Sequence, residues 1–278
     1  MPGPKNLDPS SSPRALLGAE LRYAREKAGL SQEELGAPLF VSGSFIGQLE
    51  AGTRRMHLEY ARQMDEILGT DFFVRNCTAA AKSKYPDHFA AAADAEADAT
   101  TIKEYAPQLI PGLLQTEAYA RAVFWAYQPT ATEDVIDALV AARLERAHLL
   151  TDPTTPLLWV VLDEAVLRRK VGGATVAASA LRHVAALVRK HRVIVQVLPF
   201  SAGGHAAMGG AVKLMAFEDA PPLTYLEGSG AGQLLDDPAA VARHELAYDF
   251  VAASALSPQE SLALIESVAE DYEHEEEP

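Results

Sequence analysis

Residues 31–52 read SQEELGAPLFVSGSFIGQLEAG, a pattern that predicts two short helices joined by a tight turn. Ser31 is placed to cap the first helix, and Glu34 three residues on completes a capping box. Leu35 and Leu39 fall four residues apart on one face. Val41 turns inward, and Ser42 caps the second helix. Phe45, Ile46 and Leu49 supply its buried stripe, leaving Ser44 and Gln48 on the other face; Gly52 ends it. Two capped helices with a short turn are the signature of a DNA-reading helix-turn-helix.

The pattern starts earlier, at Leu21-Arg22-Tyr23-Ala24-Arg25-Glu26-Lys27-Ala28-Gly29-Leu30-Ser31-Gln32, and runs through Glu50-Ala51-Gly52-Thr53-Arg54-Arg55. Over about sixty residues it resembles the phage-repressor-like (xenobiotic-response-element type) helix-turn-helix regulators. The resemblance implies that Gln32 and the exposed residues of the second helix, Ser42, Ser44 and Gln48, face DNA. Arg54 and Arg55 are suited to phosphates, which position rather than specify. Three features depart from the pattern. Pro38 lies where an α-helix would lose a hydrogen bond. Phe40 stands where the family usually has glycine. The second helix carries no Lys or Arg, so it lacks the commonest guanine contact, although Gln48 suits an adenine edge.

A length of 278 residues suggests two domains, and 49% hydrophobic residues can fill a sizeable core. The single cysteine, Cys77, excludes an internal disulfide, fits a reducing cytoplasm and reads as a packing residue. No signal peptide or membrane-length apolar run is visible. The net charge of −14 is unevenly spread. Residues 14–76 carry eight basic and nine acidic side chains, whereas residues 77–278 carry fifteen and twenty-eight. DNA binding would therefore rest on a few placed cations, and the acidic body suits a protein partner.

Residues 1–13, rich in Pro and Ser, read as a disordered tail, and 14–76 as the helix-turn-helix domain. Leu17, Leu21, Ala24 and Ala28 stripe its first helix. A fourth helix spans Leu58 to Leu68, and Gly69 closes it. Residues 77–88 read as a linker, with Lys82 and Lys84 as solvated charges. From Phe89 to Tyr105 the Ala, Glu and Asp content predicts a helix. Thr116 and Thr132 cap two more. Beyond Pro153 strands are expected at 157–162, 193–198, 211–217 and 223–227, interleaved with helices at 163–169 and 175–190. Asp237 with Pro238 opens another helix, and Ser257-Pro258-Gln259-Glu260 a last one. The fold class is thus an all-α N-terminal domain plus an α+β domain, 89–278, with a small, mainly antiparallel sheet.

This second part also resembles a known companion domain. The residues that carry the resemblance are Ile110-Pro-Gly-Leu-Leu-Gln-Thr116, Arg143 and Arg146, Leu162-Asp163-Glu164, and Val195-Gln196-Val197-Leu198-Pro199-Phe200. The chain is similar to antitoxin-like helix-turn-helix regulators of filamentous, high-GC bacteria. The resemblance implies a transcription regulator, often encoded beside a small partner protein, and transfers no catalytic residue.

Several residue groups invite an enzymatic reading, and each has a structural one. Asp163 and Glu164 form a carboxylate pair, but an N-cap followed by a first-turn acid explains them. His183, His191 and His205 lack metal-ligand spacing. The glycines from Gly203 to Gly210 precede a strand, whereas a phosphate loop precedes a helix. Pro111 to Gln115 read as a tight join between the helical parts, with the border of a small-ligand pocket as the alternative, and Trp125 and Trp159 as core. The expectation is a cytoplasmic, non-enzymatic regulator without cofactor or metal. It binds double-stranded DNA as a homodimer, with a small protein encoded nearby as partner. The rival is an interaction module whose helix-turn-helix has weak or no DNA affinity.

Overall fold

A computed structural model describes residues 9, 13–52, 54, 56, 58–81, 87–151, 156–218, 220–228 and 230–275. They fall into two compact units that divide after Ala91.

The first unit is helical: α1 (Pro13–Lys27), α2 (Gln32–Gly36), α3 (Gly43–Glu50), α4 (Leu58–Leu68) and α5 (Phe72–Ala81). Leu17, Leu21, Leu35, Ile46, Leu49, Met64 and Phe73 form its core. Apolar periodicity dictates this packing. Gly18 lets α1 pass close to α3: a Cβ there would lie 2.7 Å from the Leu49 and Glu50 carbonyl oxygens. Asp65 on α4 caps α5, accepting from Phe73 N at 3.1 Å and Val74 N at 2.8 Å. The linker expected over 77–88 begins inside α5. Cys77 is buried in the core, its thiol donating to the Met56 carbonyl at 3.0 Å. Lys82, Lys84 and the expected tail, apart from residues 9 and 13, lie outside the described residues.

The second unit is α+β. After α6 (Asp87–Asp98), its strands are β1 (Thr101–Ala106), β2 (Leu157–Asp163), β3 (Val193–Leu198), β4 (Ala211–Ala216), β5 (Leu223–Gly228) and β6 (Ala231–Leu235). The sheet order is β3-β2-β1-β4-β5-β6. The β1–β2 and β2–β3 pairs are parallel, while β1–β4, β4–β5 and β5–β6 are antiparallel. The sheet is thus mixed and mostly antiparallel. The remaining helices are α7 (Glu117–Tyr127), α8 (Glu133–Ala147), α9 (Glu164–Arg168), α10 (Ala174–Arg189), α11 (Pro238–Ser254) and α12 (Pro258–Glu273). Ser257 and Glu260 form the expected capping box of α12. Trp159 donates to Gln196 Oε1 at 2.9 Å, but Trp125 is exposed rather than core.

Two strands differ from expectation. The helix expected over Phe89 to Tyr105 stops at Asp98, and Thr101–Ala106 forms a central strand. Lys103 and Glu104 disguise it, because charge is rare inside a sheet. Burial is made possible by pairing. Glu104 lies opposite Lys213 on β4, and Lys213 Nζ approaches Glu104 Oε2 at 3.1 Å. Lys213 also pairs with the fully buried Glu96, which meets Arg146 Nε at 3.0 Å. The other unexpected strand, β6, contains Gly232 because a Cβ there would collide with the Tyr225 ring.

Lys213→Met removes the cation between two buried carboxylates. It should cost about 3–5 kcal/mol in urea unfolding followed by tryptophan fluorescence. An unchanged midpoint would show that these charges are not coupled.

Candidate nucleic-acid interface

The interface is built on the α2–turn–α3 segment. Ser31 Oγ accepts from Glu34 N at 3.1 Å, and Glu34 accepts from Ser31 N at 2.8 Å. Those hydrogen bonds hold the Glu34 carboxyl below the usual glutamate range. Pro38 does not break α2, because the α-helix already ends at Gly36 and Pro38 sits in a 3₁₀ turn, Ala37–Leu39. Phe40 follows in the left-handed conformation, φ 55°. Val41 N then returns to the Gly36 carbonyl at 3.0 Å, and Gly36 has no room for a Cβ beside the Val41 carbonyl.

Orientation of α3 depends on a buried charge. Glu50, at the end of α3, is fully buried. Arg25 of α1 donates to it through Nε and, at 3.2 Å, through Nη2. Arg25 Nη1 also holds the Leu30 carbonyl at 2.7 Å, just before Ser31. Arg22 Nε lies 3.7 Å from Glu50, and Gln32 Nε2 donates to it at 2.8 Å. The hydrogen bond to Glu50 raises the Arg25 pKa, favouring the charged guanidinium. One carboxylate thereby ties together α1, α2 and α3.

The expected site residues are placed as follows. Ser42, Ser44 and Gln48 are exposed on α3. Ser42 Oγ also accepts from Phe45 N at 3.2 Å, as the N-cap. Gln32 is half-buried, its amide nitrogen committed to Glu50 and its oxygen packed beside Gly47. Arg54 is exposed, stacks 4.4 Å from the Phe45 ring centroid, and donates to Gln48 Oε1 at 3.3 Å. Arg55 lies outside the described residues. The bonded Arg54–Gln48 pair, backed by Phe45 and Tyr60, was not anticipated. Its clue was the six-residue spacing across the glycine that ends α3.

The alternative chemical candidates resolve differently. Asp163 caps α9 through Ala165 N at 2.9 Å, and Glu164 accepts from Phe200 N at 3.0 Å. Asp163 also accepts from the Tyr105 hydroxyl at 3.1 Å, which lies 3.2 Å from His205 Nε2. Burial and the Asp163 charge push the Tyr105 pKa upward. Ala207 N approaches His205 Nδ1 at 3.3 Å. Nδ1 is thus placed to accept from Ala207 N and Nε2 to meet the Tyr105 hydroxyl. That chain ties the glycine-containing loop to the ends of β1 and β2. No three His, Cys, Asp or Glu among the described residues are grouped to hold a metal. Gln115 bridges the Ile110 carbonyl and Arg143, at 2.6 and 2.9 Å, knitting the join from β1 to α7. Burial beside Arg146 depresses the Arg143 pKa to about 10.

The first unit is thus a helix-turn-helix module, and sequence comparison agrees: residues 16–72 match a helix-turn-helix domain family. Residues 89–267 match the family described as a domain of unknown function, DUF5753, and the chain belongs to that family. No curated protein and no solved structure matches the chain. The helix-turn-helix match supports a DNA-binding regulator.

Glu50→Ala leaves Arg25 buried without its partner, which should cost the first unit about 3–5 kcal/mol. Both tryptophans, Trp125 and Trp159, lie in the second unit. The lowered transition should therefore be followed by far-ultraviolet circular dichroism, which reports the helices of the first unit.

Proposed function

We propose that this chain is a sequence-specific, DNA-binding transcriptional regulator. The observation that carries this is the exposure of Ser42, Ser44 and Gln48 along one face of α3, while α3 itself is locked by Glu50. On this reading α3 enters the major groove. Ser42 and Ser44 face the bases, and Gln48 pairs with an adenine edge. Arg54 and Arg55 hold phosphates, and the N-terminal end of α2, with Gln32, approaches the backbone.

A homodimer follows from size. Eight residues of α3 span about 12 Å, or roughly three to four base pairs, too few for useful specificity alone. Two copies reading a two-fold site supply the rest. The resemblance supports an antitoxin-like role with a small protein encoded nearby, and the acidic second unit suits such a partner. The reading is of a cytoplasmic, non-enzymatic protein. No described helix is long and apolar enough to cross a membrane. The absence of Lys and Arg from α3 favours one rival, an interaction module with little DNA affinity.

Fluorescence anisotropy on DNA from upstream of its own coding sequence, against scrambled DNA, separates these roles. Gln48→Ala should cost about 1–3 kcal/mol on the specific DNA and little on the scrambled. Arg54→Ala and Arg55→Ala should weaken both, each flattening the log–log salt slope by about 0.9. Wild-type protein that captures a small partner yet shifts no DNA would establish the interaction module instead.

A further inference from the structure

Phe40 occupies an unusual position for an apolar residue. It is 97% exposed, between Leu39, which is buried, and Val41, which is packed against the core. Its backbone is left-handed, φ 55° and ψ 34°, a conformation that a Cβ disfavours. Phe45, by contrast, is used inside the fold, against Tyr60 and under Arg54. Glycine or asparagine would meet the turn's backbone demand without exposing a ring. The folded chain therefore gains neither burial nor backbone relief from phenylalanine at this position. A lone exposed ring is ordinary, but a left-handed backbone kept beneath one, beside the end of α3, points to a contact outside the chain.

Its place indicates what that contact is. Phe40 lies two residues before Ser42, the N-cap of α3, so their Cα atoms are at most about 7 Å apart. The N-terminal end of a recognition helix is the part that meets base edges. Among the groups a base pair presents in the major groove, the apolar one is the thymine C5-methyl. Resting on the DNA-binding reading above, we infer that Phe40 is a specificity-determining residue that packs on a thymine methyl at the margin of the site read by α3.

The test uses the full chain and its upstream DNA amplified with either thymidine or deoxyuridine triphosphate, the latter lacking every C5-methyl. Wild-type protein should bind the uracil DNA about fourfold more weakly for each methyl buried, so about sixteenfold for a dimer on a two-fold site. Phe40→Gly should bind both DNAs equally, near the wild-type affinity for uracil DNA, with a Tm no lower than wild type. Equal wild-type binding to both DNAs would overturn the inference, as would a Phe40→Gly variant that still discriminates. A lowered Tm would overturn it too, by showing an internal role for the ring. Wild-type protein that does not prefer its upstream DNA to scrambled DNA defeats the DNA-binding reading itself, before any variant is compared.

Discussion

The buried carboxylate of Glu50 is the constraint on which the proposed reader depends. A charge without water must be paired, and here Arg25, Arg22 and Gln32 converge on it from α1 and α2. Arg25 does more than neutralise. Its third nitrogen, Nη1, donates to the Leu30 carbonyl, fixing the chain immediately before the α2 cap. Apolar packing of Leu21, Leu35 and Ile46 is non-directional and would tolerate rotation of α3 about its axis. A forked guanidinium–carboxylate contact supplies direction. The exposed row of Ser42, Ser44 and Gln48 inherits its orientation from that contact.

The second unit uses a related device for another purpose. Lys213 and Arg146 together balance Glu104 across the β1–β4 ladder and Glu96 on α6, allowing a charged strand to run through the middle of a sheet. The Asp163–Tyr105–His205 chain then joins strand ends to the loop before β4. Both features organise the domain internally. Surface pairs such as Arg182–Glu273, with both partners well exposed, add little beside them.

Much of this was legible because it is local. The Ser31–Glu34 and Ser257–Glu260 boxes are written within four residues, and the structure contains both. The Val- and Ile-rich β3 runs over the expected residues, and the stripe of α4 places Ala61 and Met64 in the core. What was not legible depends on distant partners. The Arg25–Glu50 pair is 25 residues apart, and the Lys213–Glu96 pair 117. Without Lys213 in view, Lys103-Glu104 looks like helix surface, which is why β1 was hidden. Gln32 shows the same limit at the site: its placement suits a phosphate contact, yet its amide nitrogen is engaged by Glu50.

The most direct test of the account is hydroxyl-radical footprinting of the purified full chain on DNA from upstream of its coding sequence, at near-physiological salt. A dimer reading a two-fold site should leave two protected patches related by that symmetry, with centres about 10 base pairs or a multiple apart. Protection spread evenly along the DNA, or none at concentrations where the protein is folded, would contradict it.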